Sequence, residues 1–157
     1  MKPKVYLETT IPSYLASRPS RDLQVAAHQQ ITYDRWTDHR HRFRLFVSER
    51  VVREAGSGNS EAVARRLAQI GDIPELEFTT GALDLATRFL SEGAMPQKSP
   101  EDAIHVAIAT LKGMDYLPTW NCRHIVNAEI MKSLARIAEE GGYSLPVLCS
   151  PEQLRGH

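Results

Sequence analysis

Val5-Tyr6-Leu7-Glu8-Thr9-Thr10-Ile11-Pro12-Ser13, close to the start of the 157-residue chain, decides how the rest is read. Val5 and Leu7 alternate with Tyr6 and Glu8 as the residues of a short strand do, and Thr9 to Ser13 then bring in turn and helix-start residues. Glu8 therefore ends an apolar strand. In the middle of a sheet, a carboxylate at that position costs free energy unless it is paired or bound to a metal.

Beyond this stretch, helix and strand signals alternate. Leu23, Ala26, Ala27, Gln30 and Ile31 share one face of a long helix predicted from Arg21 to about His39, and Phe43 to Val47 reads as a buried strand with Ser48 as the following N-cap. A helix over 49–55 and one in which Ala62, Val63, Arg66, Leu67 and Ile70 recur at helical spacing are separated by Gly56-Ser57-Gly58-Asn59-Ser60. Leu76 to Thr79 reads as a third strand and Ala82 to Leu90 as a helix. Ser99-Pro100-Glu101-Asp102 opens another helix, with Ser as N-cap and Pro at its first position. Tyr116 to Trp120, Asn127 to Glu140 and Pro146 to Cys149 complete the pattern as strand, helix and strand. Such alternation predicts an α/β fold, a parallel sheet of four to five strands flanked by helices, in one domain over 1–150 with a short tail at 151–157.

Composition narrows the class. A 42% hydrophobic and 24% charged chain has enough apolar surface for one core, which excludes a disordered or fibrous protein. No apolar run approaches the roughly 20 residues of a membrane span, so neither anchor nor signal peptide is expected. Cys122 and Cys149 are too few and too far apart for a disulfide framework or a CxxC site, and a reducing, cytoplasmic compartment is the expectation. Nineteen basic against nineteen acidic residues leave no global field, so any affinity for nucleic acid must come from local patches.

A parallel sheet gathers ligands beyond the C-terminal ends of its strands. Glu8 and Asn121 follow strands, Glu54 and Asp102 lie on helices after loops, and the topology can bring the four together as a hard-cation site. Oxygen donors from several segments suit Mg²⁺ or Mn²⁺, which complete their shells with water and phosphate, and imply phosphoryl transfer or phosphodiester hydrolysis.

Val5 to Thr10, Ser48 to Glu54, Glu101 to Ala109 and Asp115 to Asn121 resemble, in that order, the motifs of PIN-domain nucleases, across nearly the whole chain. The resemblance implies a PIN-like fold and a metal-dependent endoribonuclease, with Glu8, Glu54, Asp102 and Asn121 as metal-binding and catalytic residues. At this chain length it points to the VapC-like toxins of toxin-antitoxin pairs, with RNA as substrate, a homodimer, and a cognate antitoxin as partner. Glu8 stands where the family more often has Asp, Thr10 where it has Asn or Ser, and Asn121 where many members carry a further Asp. Thr10 and Thr119 are expected to hold the ligands by hydrogen bonds.

Structural readings stand beside these. Asp102 can be a helix-dipole partner completing a capping pattern with Ser99, and Glu49 rivals Glu54 on the same helix. His105 and His124 read as hydrogen-bonding residues bordering the site, Tyr14 and Trp120 as packing residues, and Cys122 as a small buried one. The basic run Arg35 to Arg44 fits a phosphate-contacting surface and a solvated helix end about equally. A catalytically silent PIN-fold module binding RNA or protein is the alternative function. A metal-dependent phosphatase, or an unrelated α/β domain whose acids are caps and surface charges, ranks below it.

Overall fold

The structure, a computed structural model, describes residues 1–154. Five short strands, β1 (Lys4–Tyr6), β2 (Arg44–Ser48), β3 (Glu75–Leu76), β4 (Tyr116–Pro118) and β5 (Val147–Cys149), form one sheet in the order β3-β2-β1-β4-β5. All pairs are parallel, with Val5 opposite both Leu45 and Tyr116, and Leu117 opposite Leu148. Val5, Tyr6, Val47 and Leu117 are almost wholly inaccessible to solvent, as a sheet covered on both faces requires.

The helices are α1 (Thr10–Ala16), α2 (Leu23–Arg42), α3 (Glu49–Ala55), α4 (Ser60–Ile70), α5 (Thr80–Ser91), α6 (Pro100–Leu111) and α7 (Ala128–Glu140). The chain runs outward from β1 through β2 to β3, then returns to β4 and continues to β5. Right-handed crossovers place the helices of the first leg on one face and those of the second on the other. The contacts follow this division: α1 packs on α2 and α4, whereas α5 packs on α6 and α7. The direction of travel reverses between β1 and β4, so the switch point lies where Glu8 and Asn121 emerge.

α6 is buried almost all round, through Ala103, Val106, Ala107, Ile108 and Ala109. A helix of this kind sits under the sheet, and any polar side chain on it must find a partner indoors. Asp22, Ser48, Asn59, Thr79 and Asn127 each cap a helix with a side-chain oxygen.

The boundaries differ from the expected ones in physically legible ways. β3 has only two residues, because Thr79 leaves the strand to cap α5 by accepting from Ala82 N at 3.2 Å. Pro118 is the last residue of β4, where a missing ladder donor costs least. Ser99 precedes α6 as expected, yet makes no capping bond; its Oγ contacts His124 Nδ1 at 3.3 Å instead.

In the segment set apart as a tail, Pro151–Gln153 forms a 3-10 turn whose Pro151 is buried together with Leu154. Residues 155–157 lie outside the described residues. Among those described, no helix is long and apolar enough to cross a membrane.

Candidate metal centre

Glu8 leaves the sheet two residues beyond β1 and is only 4% exposed. Its Oε1 accepts the backbone N–H of Thr10 at 3.2 Å and the Thr10 hydroxyl, and the Thr119 hydroxyl also bonds the carboxyl. Desolvation still dominates and pushes the Glu8 pKa up, against the lowering by these hydrogen bonds and by His105. Among the described residues no Lys or Arg pairs with it. Thr10 also ties the start of α1 to the end of β4, Trp120 N donating to its Oγ1 at 3.2 Å, while Thr119 Oγ1 accepts locally from Asn121 N at 2.9 Å.

Glu54, on the last turn of α3, is reached from two sides. Thr9 Oγ1 donates to its Oε1 at 2.8 Å, and His105 Nε2 lies 2.5 Å from the same oxygen. Burial by itself raises the Glu54 pKa; the bond and charge of His105, then Thr9 and Arg50, outweigh it and hold the carboxyl below its ordinary value. Oε2 accepts no bond from the described residues and is the oxygen left to meet a ligand.

His105 carries a buried chain inward. Its Nδ1 is 2.7 Å from the hydroxyl of Tyr6, which is 2.8 Å from Ser48 Oγ, which in turn accepts from Val51 N at 3.3 Å. With Nδ1 as acceptor one direction satisfies every group: Val51 N–H to Ser48, Ser48 to Tyr6, Tyr6 to Nδ1, and Nε2–H to Glu54. Desolvation, reinforced by the charges of Glu8, Glu54 and Glu101, raises the Tyr6 pKa far above the phenol's usual value, so it stays a neutral donor.

Asp102, in the first turn of α6, faces the end of β4. Asn121 Nδ2 donates to its Oδ1 at 2.9 Å and His124 Nδ1 is 3.2 Å from Oδ2. With Ser99 making no capping bond, the capping reading of Asp102 does not hold. The rival Glu49 is committed elsewhere, its Oε2 accepting Phe78 N at 3.2 Å.

The sheet thus brings Glu8, Glu54, Asp102 and Asn121 to one end of the fold, in two hydrogen-bonded groups. One contains Glu54, Thr9, His105 and Tyr6; the other contains Asp102, Asn121 and His124. Glu8 belongs to the β4 end through Thr10 and Thr119, and its charge couples to His105.

A fourth acid, Glu101, enters from α6 beside Asp102. Glu54, Glu101 and His105 have ligand atoms within 4.8 Å of one another, a compact set for a metal. Two features weaken it: Arg50 grips both oxygens of Glu101, and His105 Nε2 is spent on Glu54. The carboxylates fit a hard cation better, with the histidine orienting Glu54.

Sequence reasoning missed Tyr6, Ser48, Arg50 and Glu101 as parts of this network. A tyrosine in a central strand needs a buried hydroxyl partner, and a histidine on an otherwise apolar helix needs the same; together those two rules point to the pair. Trp120 packs between His28 and Tyr14 and donates to Thr32 Oγ1 at 2.7 Å, as a packing residue should. In the basic run, Arg40 pairs with Asp72 and Arg42 with Asp38. Burial raises the Cys122 thiol pKa, which disfavours a thiolate nucleophile.

No protein-family model matches the chain, and no curated protein matches it in sequence.

Proposed function

We propose that this chain is a divalent-metal-dependent endoribonuclease of PIN-like fold. The observation that carries the reading is Glu8: a carboxyl buried at the switch point of a parallel sheet, bound by threonine hydroxyls and by no Lys or Arg among the described residues, on the same rim as Glu54 and Asp102. Such a group favours a bound cation over solvent-free isolation. Glu8, Glu54 Oε2 and Asp102, with Asn121, would hold Mg²⁺ or Mn²⁺. When bound, the ion supplies charge neutralisation at the scissile phosphate and acidifies a water.

The protein's own contribution is positioning. Thr10 and Thr119 fix Glu8, Thr9 and His105 fix one oxygen of Glu54 so that the other is presented, and Asn121 and His124 fix Asp102. Tyr6 keeps Nε2–H of His105 directed at Glu54. None of these roles needs a covalent enzyme intermediate. The resemblance of the motifs extends the proposal to a cytoplasmic VapC-like toxin, acting as a homodimer on RNA and silenced by a cognate antitoxin.

The test is incubation of the protein with labelled RNA pools in Mg²⁺ or Mn²⁺, with a chelator control and the Asp102→Ala variant in parallel. Cleavage that needs both the metal and Asp102 is expected. Intact RNA, with the oligonucleotide retained on the protein, would favour the silent binding module, a reading that gains from Asn121 and Arg50 lowering the negative charge of the rim.

A further inference from the structure

A cleft of about 250 Å³ separates α1 from α4, lined by Ser13, Ser17, Arg18, Arg65 and Arg66. Both of its walls belong to segments that also carry rim residues. Arg66 Nε donates to the backbone carbonyl of Ala55, the residue after Glu54, at 2.9 Å, and its Nη2 to Ser57 O at 2.5 Å. Ser13 and Ser17 lie roughly 4.5 and 10 Å along the α1 axis from Thr10, which holds Glu8.

The arginines are positioned without being neutralised. Arg65 Nε donates to Ala16 O at 3.0 Å, the last residue of α1, so backbone carbonyls aim both Arg65 and Arg66. Gly58, at φ 103°, provides the left-handed turn that brings Ser57 O against Arg66. Among the described residues the one acid in contact is Glu61, 3.5 Å from both Arg18 and Arg65 and well exposed. Exposed pairs at that distance contribute little and exchange readily for a stronger acceptor. Three guanidinium groups against one carboxylate leave a net positive cleft with two hydroxyl donors, in a chain of zero net charge. Guanidinium forks match phosphate oxygens in pairs.

We propose that this cleft is a phosphate subsite, which takes a backbone phosphodiester of single-stranded RNA beside the one presented to the acidic rim. The assignment rests on the ribonuclease reading for its ligand, and it explains how a rim of carboxylates can retain a polyanion: affinity is supplied one step away from the chemistry.

The test is fluorescence anisotropy of a labelled oligouridylate on the full chain in chelator, so that binding is read without cleavage, across a salt series. Arg18→Gln and Arg65→Gln are compared with Lys132→Gln, which removes the same charge from the exposed face of α7. Among the described residues the Arg18 side chain is bonded only to Glu61 and supports no helix end, so its variant tests the subsite even where Arg65→Gln disturbs α1. Each cleft variant is expected to lower affinity about 5- to 10-fold and to reduce the slope of log K against log salt by about 0.7, the value for one phosphate contact on a single strand. Lys132→Gln is expected to change neither. Wild-type binding and slope in Arg18→Gln, or an equal loss in Lys132→Gln, would overturn the subsite. Uridine monophosphate or inorganic phosphate binding as tightly as the oligonucleotide would overturn the polynucleotide assignment. Because chelator suppresses the chemistry, loss of metal-dependent cleavage activity from the proposal above leaves this result standing, and the reverse also holds.

Discussion

Tyr6→Phe isolates the buried chain behind Glu54. The ring still fills its wholly buried place under the sheet, and only the hydroxyl is lost. Two partners are affected: His105 Nδ1, 2.7 Å away, loses its donor, and Ser48 Oγ, 2.8 Å away, loses its acceptor while still receiving Val51 N–H. A buried polar atom left unsatisfied costs about 1–3 kcal/mol, and Ser48 can turn its proton toward another acceptor. The cost therefore falls mainly on His105, and about 2 kcal/mol is expected, roughly a 30-fold fall in the folded-to-unfolded ratio. Urea denaturation followed by circular dichroism should show a lower midpoint at unchanged slope, and melting about 4–8 °C lower. Ser48→Ala removes the α3 cap as well as the Tyr6 partner, and the double variant should cost about 1 kcal/mol less than the sum of the singles. A change below about 0.3 kcal/mol in Tyr6→Phe, or strict additivity in the cycle, would refute the continuous chain.

Other perturbations read other parts of the account. Burial raises the Glu8 pKa, so the fold gains from its protonated form below the ordinary carboxyl value of 4.5, and this contribution is lost as pH rises through the folded pKa. Glu8→Gln should accordingly melt above the wild type at pH 8 in chelator and gain nothing from added Mn²⁺; a lower melting temperature would show that the carboxylate is stabilised by the protein alone. Asn121→Asp sets two carboxylates face to face across the 2.9 Å contact with Asp102, so the metal-free protein should lose about 1–2 kcal/mol and recover it on adding Mg²⁺, as a thermal-shift titration would reveal. His39 has its pKa lowered by burial, against the raising effect of its 3.0 Å contact with Leu154 O. Its neutral form supports the fold above the ordinary value of 6.5, and that support is lost as pH falls through the folded pKa. His39→Gln should therefore flatten stability between pH 7 and 5, and an unchanged pH profile would remove His39 from the acid response.

The architecture was legible because strand and helix differ in period: Val5 and Leu7 alternate, and Ile104, Ala107, Ile108 and Leu111 recur at helical spacing. Glu8 was legible for a thermodynamic reason, the price of burying a carboxylate at the end of a central strand. What escaped the sequence is chemistry made by tertiary contact between residues with ordinary local roles. Tyr6 reads as one more strand residue until the fold sets its hydroxyl between Ser48 and His105, 42 and 99 positions away. Glu101 reads as a first-turn acid on the α6 dipole, and only packing gives it Arg50. Arg66 reads only as one of the residues recurring at helical spacing with Ala62, Val63, Leu67 and Ile70, and its role emerges when the Gly58 turn folds α4 back on the end of α3.

Mn²⁺ binding measured by electron paramagnetic resonance tests the central claim most directly, since the free aqueous ion gives a sharp signal that broadens on binding. In the wild-type protein the free signal should fall with added protein, and Glu8→Gln and Asp102→Ala should restore it, while Glu101→Gln should bind much as the wild type does. Loss of binding in Glu101→Gln with Glu8→Gln unaffected would place the ion on Glu54, Glu101 and His105 instead, and would contradict the account of Glu8 as its anchor.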